Sequence, residues 1–114
     1  MIGAGIIEMQ TTLLVNDQVI PLNEFTQNYL GNVIRGIVLS LGQDAKDVHL
    51  HIDEAGLRIY TETGEVPLVK DFARLLIEST IKGMLSPLKG IFWLGRITVS
   101  CRKVGNEKEN VIRN

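Results

Sequence analysis

Cysteine, aromatic residues, histidine and net charge are all scarce in this chain, and each scarcity excludes something. A single cysteine, Cys101, rules out a disulfide framework within one chain and fits a reducing, cytoplasmic compartment. Aromatic side chains make up only 5% of the sequence, which leaves little for the stacking platforms used to read single-stranded nucleic acid. Lysine and arginine number 12 against 13 acidic residues, a net charge of -1 that removes the broad positive field of most nucleic-acid binders. No apolar run approaches the roughly 20 residues of a membrane-spanning helix, so no membrane partner is expected. Met1–Gln10 lacks the basic flank and apolar stretch of a signal peptide. Gly3-Ala4-Gly5 opens like a dinucleotide-binding fingerprint, but no strand precedes it and the third glycine position holds Glu8. Neither a phosphate-cradling loop nor a nucleophile elbow is present, which argues against an enzyme and against a bound cofactor.

What is present is the composition of one globular domain. The 114 residues are 45% apolar, and a chain of this size can bury roughly two-thirds of its unfolded surface in one core. Residues 1–10 have no clear period and read as an N-terminal extension, with Met9 an alternative start. The domain spans 11–103. Residues 104–114, rich in Asn, Glu and Lys, read as a solvated tail.

Within the domain, Thr11–Val15 is rich in β-formers and is followed by Asn16-Asp17, a pair suited to a tight hairpin turn, and a short returning strand at Gln18–Leu22. Asn23 is a good helix N-cap. Behind it Phe25, Tyr29, Leu30, Val33, Ile34, Ile37, Val38 and Leu41 recur at three and four, which predicts a helix ending near Gly42. Val48–Asp53 and Leu57–Glu62 alternate strictly and read as a hairpin. A second helix is expected from Val69 to Leu85, with Pro87 beyond it, and a last strand from Gly95 to Lys103.

Shifting the chain by 47 residues aligns Glu24–Leu41 with Asp71–Leu88 without a gap. Phe25 meets Phe72, Ile34 meets Ile81, Gly36 meets Gly83 and Leu41 meets Leu88, and just upstream Ile20-Pro21-Leu22 meets Val66-Pro67-Leu68 after one inserted residue. The pattern suggests an internal pseudo-two-fold repeat. The element order βαββαβ, with an extra short strand after the first, resembles the ferredoxin-like two-layer sandwich. That resemblance implies an α+β fold with two helices on one face of an antiparallel sheet, and no particular activity. Each mid-helix glycine costs on the order of 1 kcal/mol against alanine, so the matched Gly36 and Gly83 suggest a close approach of the two helix backbones.

Alternation also assigns strand faces. With Val48, Leu50, Ile52, Leu57, Ile59, Ile97, Val99 and Cys101 inside, the opposite face carries His49, His51, Asp53, Arg58 and Tyr60, joined by Glu62, Arg96, Thr98, Ser100 and Arg102. The first five are the candidate ligand face. Two imidazoles at i and i+2 with a carboxylate at i+4 have a spacing that suits Zn²⁺, but no further His or Cys completes a structural site, so no metal is assigned. Arg58, Tyr60, Arg96 and Arg102 could meet RNA phosphates and a base, although Asp53 and Glu62 share the face. Cys101 sits on the core side, away from both histidines, and so lacks a partner base.

Ordinary packing explains least the apolar surplus. In the second helix Lys70, Asp71, Arg74, Glu78, Ser79 and Lys82 form the only polar band, with Arg74–Glu78 and Glu78–Lys82 spaced for ion pairs. The remainder is wider than one helix-on-sheet contact needs. Beyond it, Ile91-Phe92-Trp93-Leu94 lies between two glycines, and Phe92, Trp93 and Leu94 are the candidate interface. The expectation is a non-enzymatic protein-interaction domain, most simply a homodimer joined through its sheet face or this segment. The alternative is a small-ligand or metal-binding domain on the open sheet face.

Overall fold

The structure, a computed structural model, describes residues 7–88 and 95–104. Its elements follow in the order β1 (Met9–Val15), β2 (Gln18–Ile20), α1 (Glu24–Ser40), β3 (Asp47–Asp53), β4 (Gly56–Thr61), β5 (Gly64–Glu65), α2 (Asp71–Leu85) and β6 (Ile97–Lys103). β5 has no counterpart in the sequence pattern, because two residues are too few to alternate. β1 begins two residues before the start of the regular pattern at Thr11.

Local chemistry explains the boundaries. Asn16 and Asp17 both adopt positive φ, 53° and 69°, as the two central residues of a type I′ turn, and β1 and β2 pair across them from Val15↔Gln18 to Leu13↔Ile20. The Asn23 side chain accepts a hydrogen bond of 2.8 Å from the Thr26 N–H, capping α1. At the other end the N–H groups of Gly42 and Gln43 bond to the carbonyls of Leu39 and Val38, and Gly42 takes φ +92°, the Schellman arrangement that stops the helix.

All six strands form one antiparallel sheet in the order β2-β1-β6-β3-β4-β5. β1 and β3 flank β6, while β4 and β6 flank β3, so each strand–helix–strand unit straddles a strand of the other unit. The α+β class, the antiparallel sheet and the two helices match expectation. The strand order departs from the ferredoxin-like one, which centres the strands that begin the two units; here β3 and β6, the strands that end them, lie at the centre.

Every strand residue assigned to the core is buried: Val48, Leu50, Ile52, Leu57, Ile59, Ile97, Val99 and Cys101. Leu30, Ile34 and Val38 from α1 and Ile77, Ile81 and Leu85 from α2 join them in a single cluster, so both helices cover the same sheet face. The helices also satisfy the free outer edges of the sheet. Gln27 and Asn28 on α1 accept from the N–H groups of Thr11 and Met9, upstream of where β2 pairs with β1. On α2, Arg74 donates to the Leu57 carbonyl at 3.0 Å, at the end of β4 that β5 does not reach. The Arg74–Glu78 spacing does not give an ion pair among the described residues: the guanidinium is drawn to a strand carbonyl beneath the helix that would otherwise lack a partner. Glu78 lies 4.0 Å from Lys82, the other pair that the spacing predicts.

The glycine expectation is also corrected. A Cβ on Gly36 or Gly83 would meet nothing within 4 Å, and both residues are exposed, so neither marks a close helix–helix approach. The tight position is Gly31, buried where α1 crosses β1; a Cβ there would collide with the Met9 side chain and come within 2.9 Å of Thr11 Oγ1. Gly31→Ala is therefore expected to destabilise the fold by roughly 1–3 kcal/mol, whereas Gly36→Ala and Gly83→Ala each raise monomer stability by about 0.5–1 kcal/mol. Urea unfolding curves of the three variants check the contrast.

Candidate functional site

The open face of the sheet is built in cross-strand rows by the pairing register. One row runs Val19, Leu14, Thr98, His51, Arg58, and the next runs Thr12, Ser100, His49, Tyr60. The five candidate ligand residues share this face as the alternation implied. His49 and Arg58 are exposed, while His51, Asp53 and Tyr60 are half-buried.

Most polar groups here are already partnered. Arg58 pairs with Asp53 at 2.8 Å, and Asp53 also accepts from the Ala55 N–H, tightening the β3–β4 turn. Arg102 reaches Asp47 at 3.1 Å across the central strands. Arg96, just before β6, pairs with Asp17 of the first hairpin turn at 3.1 Å. Glu62 accepts from the N–H groups of Lys46 and Asp47, and those bonds hold its carboxyl below the usual range. With their charges matched, these arginines offer a nucleic acid little free positive potential.

The histidines are ordered by their neighbours. Nδ1 of His49 shares a hydrogen bond of 2.9 Å with Ser100 Oγ, and Nδ1 of His51 shares one of 3.2 Å with Thr98 Oγ1. The Tyr60 ring meets His51 edge-on, with centroids 5.9 Å apart. Partial burial, then the positive charge of Arg58 and the neighbouring His49, push the His51 pKa below its ordinary 6.5, with Asp53 opposing. Beside His49 lies a hollow of about 140 Å³ lined by Gln10, Thr12, Asp47, Ser100 and Arg102. No group of three or more His, Cys, Asp or Glu suited to a metal is present among the described residues. Cys101 is buried on the other face, and desolvation raises its thiol to about 11, so it is no nucleophile at neutral pH.

The second candidate surface was read only in part from sequence. On α2, Phe72, Leu75 and Leu76 are exposed, the first by 74%, as the excess apolar arc implied. On α1 the spacing by three and four places Phe25 and Tyr29 in the apolar stripe, yet they are exposed and stack on each other at 5.8 Å. At 100° per residue Phe25 stands about 180° from the buried Ile34, so spacing by three and four over a wide arc had merged two faces into one. Between the helices runs an apolar groove of about 220 Å³, lined by Ile37, Leu41, Ala73, Leu76 and Ile77 with Ser40 and Thr80. Phe92, Trp93 and Leu94 lie outside the described residues.

Sequence reading missed the roles of Ser100 and Thr98 beside the histidines, since nothing local to either strand reveals which residues oppose one another. No helix among the described residues is long and apolar enough to cross a membrane. No protein-family model, curated protein or solved structure matches the chain.

Two measurements check this electrostatic picture. In an NMR titration the His51 ring is expected to change charge below pH 6.5. Because the folded state binds that proton less firmly than the unfolded one, the His51 contribution to stability is complete above the unfolded value and is lost as pH falls through it towards the lowered pKa; His51→Gln should remove that part of the acid-side loss. Native protein at pH 8 should react with a thiol reagent far more slowly than protein unfolded in guanidinium.

Proposed function

We propose that this chain is a cytoplasmic, non-enzymatic protein-interaction domain that pairs with a second copy of itself through the outward face of its helix layer. One observation carries the reading: Phe72, Leu75 and Leu76 on α2 and Phe25 and Tyr29 on α1 are large apolar side chains left in water on the same layer. The open sheet face makes the weaker interface, because its charged residues already pair with one another. Closed two-fold assemblies are the commonest way a single chain covers such a surface. Gly36 and Gly83 fit this use. Both lie on the exposed helix faces with open space above them, where a partner backbone can approach closely. Phe92, Trp93 and Leu94 stay in the proposed interface on the strength of their sequence alone, and the lone buried cysteine supports the compartment.

The internal repeat belongs to the same proposal. Exchanging β1, β2, α1 and β3 for β4, β5, α2 and β6 leaves the strand order β2-β1-β6-β3-β4-β5 unchanged when read from the opposite end. The two helices begin 47 residues apart, Phe25 and Phe72 are alike exposed, and Gln27 and Arg74, at matched positions, each satisfy a free edge of the strand beneath. These correspondences support two copies of one strand–helix–strand unit. They also make the helix layer two-fold in character, with an aromatic residue near the start of each helix and a glycine further along.

Sedimentation equilibrium at micromolar concentration is expected to give a dimer. Phe72→Ser with Leu76→Ser should weaken association about tenfold or more while changing monomer stability by no more than about 0.5 kcal/mol. Trp93→Ala should weaken association more than folding. A monomer at every concentration, or a dimer indifferent to these substitutions, would sink the reading.

A further inference from the structure

We propose that His49 and His51 form an open two-histidine site for a divalent transition-metal ion such as Zn²⁺, bound through both Nε2 atoms while Ser100 and Thr98 hold the Nδ1 atoms. Residues i and i+2 on one strand face stand about 6.6 Å apart at the backbone. For one ion to bind both imidazoles at Zn–N distances of about 2.0–2.1 Å, the two rings turn toward each other about their side-chain torsions. The spacing alone is only a sequence feature. The tertiary structure adds the orientation.

Both hydroxyls belong to β6, and each stands directly opposite its histidine, Ser100 against His49 and Thr98 against His51. The two rings therefore lean the same way across the central strand pair, held by hydrogen bonds of 2.9 and 3.2 Å. With the proton on Nδ1 and donated to the hydroxyl, Nε2 is left as a bare lone pair. No described residue hydrogen-bonds either Nε2. Fixing one ring nitrogen by an outer partner so that the other ligates is the usual support of a metal-bound imidazole.

The arginines on this face are each paired with a carboxylate. Arg58, the nearest guanidinium, is bound to Asp53 at 2.8 Å. Arg102, beyond Ser100, is bound to Asp47 at 3.1 Å. Asp53 is committed to Arg58 and the Ala55 N–H, so it does not join as a third ligand, and water fills the remaining coordination positions. Imidazole donors on an otherwise open site select Zn²⁺, Ni²⁺ or Cu²⁺ over Mg²⁺ or Ca²⁺, which demand several oxygen ligands.

The test is calorimetric titration of the full chain with Zn²⁺ alone, at pH 7.5 in a non-chelating buffer. The expected result is saturable binding of one ion per chain, lost in His49→Ala/His51→Ala and unaffected by Mg²⁺. Removing the orienting hydroxyls with Thr98→Val/Ser100→Ala should weaken Zn²⁺ binding about 10–100-fold while the far-UV spectrum and urea midpoint stay close to wild type. These four side chains lie on the open face, so their loss leaves the core intact, and the unfolding curve identifies any variant that fails to fold. The proposal is overturned if wild type shows no saturable binding at millimolar Zn²⁺, if binding survives unchanged in the double-histidine variant, or if removing both hydroxyls leaves the affinity as it was.

Discussion

The antiparallel pairing of β3 with β6 is the constraint on which the rest of the molecule depends. It joins segments about fifty residues apart in sequence and places Leu50 against Val99 and Ile52 against Ile97 at the middle of the buried face. The chain that must loop back between them includes β4, β5 and the whole of α2. The loop-closure entropy of the chain between them is offset by apolar burial on the helix side. On the opposite face the same register sets a hydroxyl beside each histidine and Arg102 beside Asp47. One set of backbone hydrogen bonds thus determines both the core and the chemistry of the open surface.

The two faces of the sheet solve different problems. The covered face is apolar apart from Thr11 and Thr61, whose hydroxyls are satisfied locally, the first by the Gln27 and Met9 carbonyls and the second within its own turn. The open face stays in water by matching charges in pairs and by keeping its edge strands short: β2 has three residues and β5 two, and short edges offer little template for unwanted strand addition. Protection continues where α1 and α2 supply side chains to the strand edges that β2 and β5 leave unpaired. The outer helix surface has no such protection, and that contrast directs the proposed self-association there.

Turns, caps and strand faces were legible because each is decided within a few residues. Asn16-Asp17 accepts positive φ, Asn23 caps, Gly42 stops a helix, and strict alternation sorts Val48–Asp53 into two faces whatever lies next to them. Helix faces were less legible. A helix as apolar as α1 satisfies a three-and-four pattern around much of its circumference, and only the position of the sheet separates Ile34, which is buried, from Phe25, which is not. The glycines show the same limit from the other side. Gly31 sits within a run of unremarkable helix residues, and its need for a missing side chain comes from Met9 and Thr11 on the strand packed across it.

By itself the sequence determined the α+β class, the order of every element but the two-residue β5, the core strand faces, the hairpin turn and an apolar excess on the second helix, all of them consequences of local propensity and periodicity. Strand order, cross-strand partners and the direction in which each helix faces were decided only by the tertiary structure. The reason is energetic: local rules leave several ways to stack the same strands, and what separates them is which distant apolar faces and unpaired edges can be satisfied together. His49 and His51 stand on the sequence side of that line as a spacing, and on the structural side as two rings held in one orientation by hydroxyls almost fifty residues or more away.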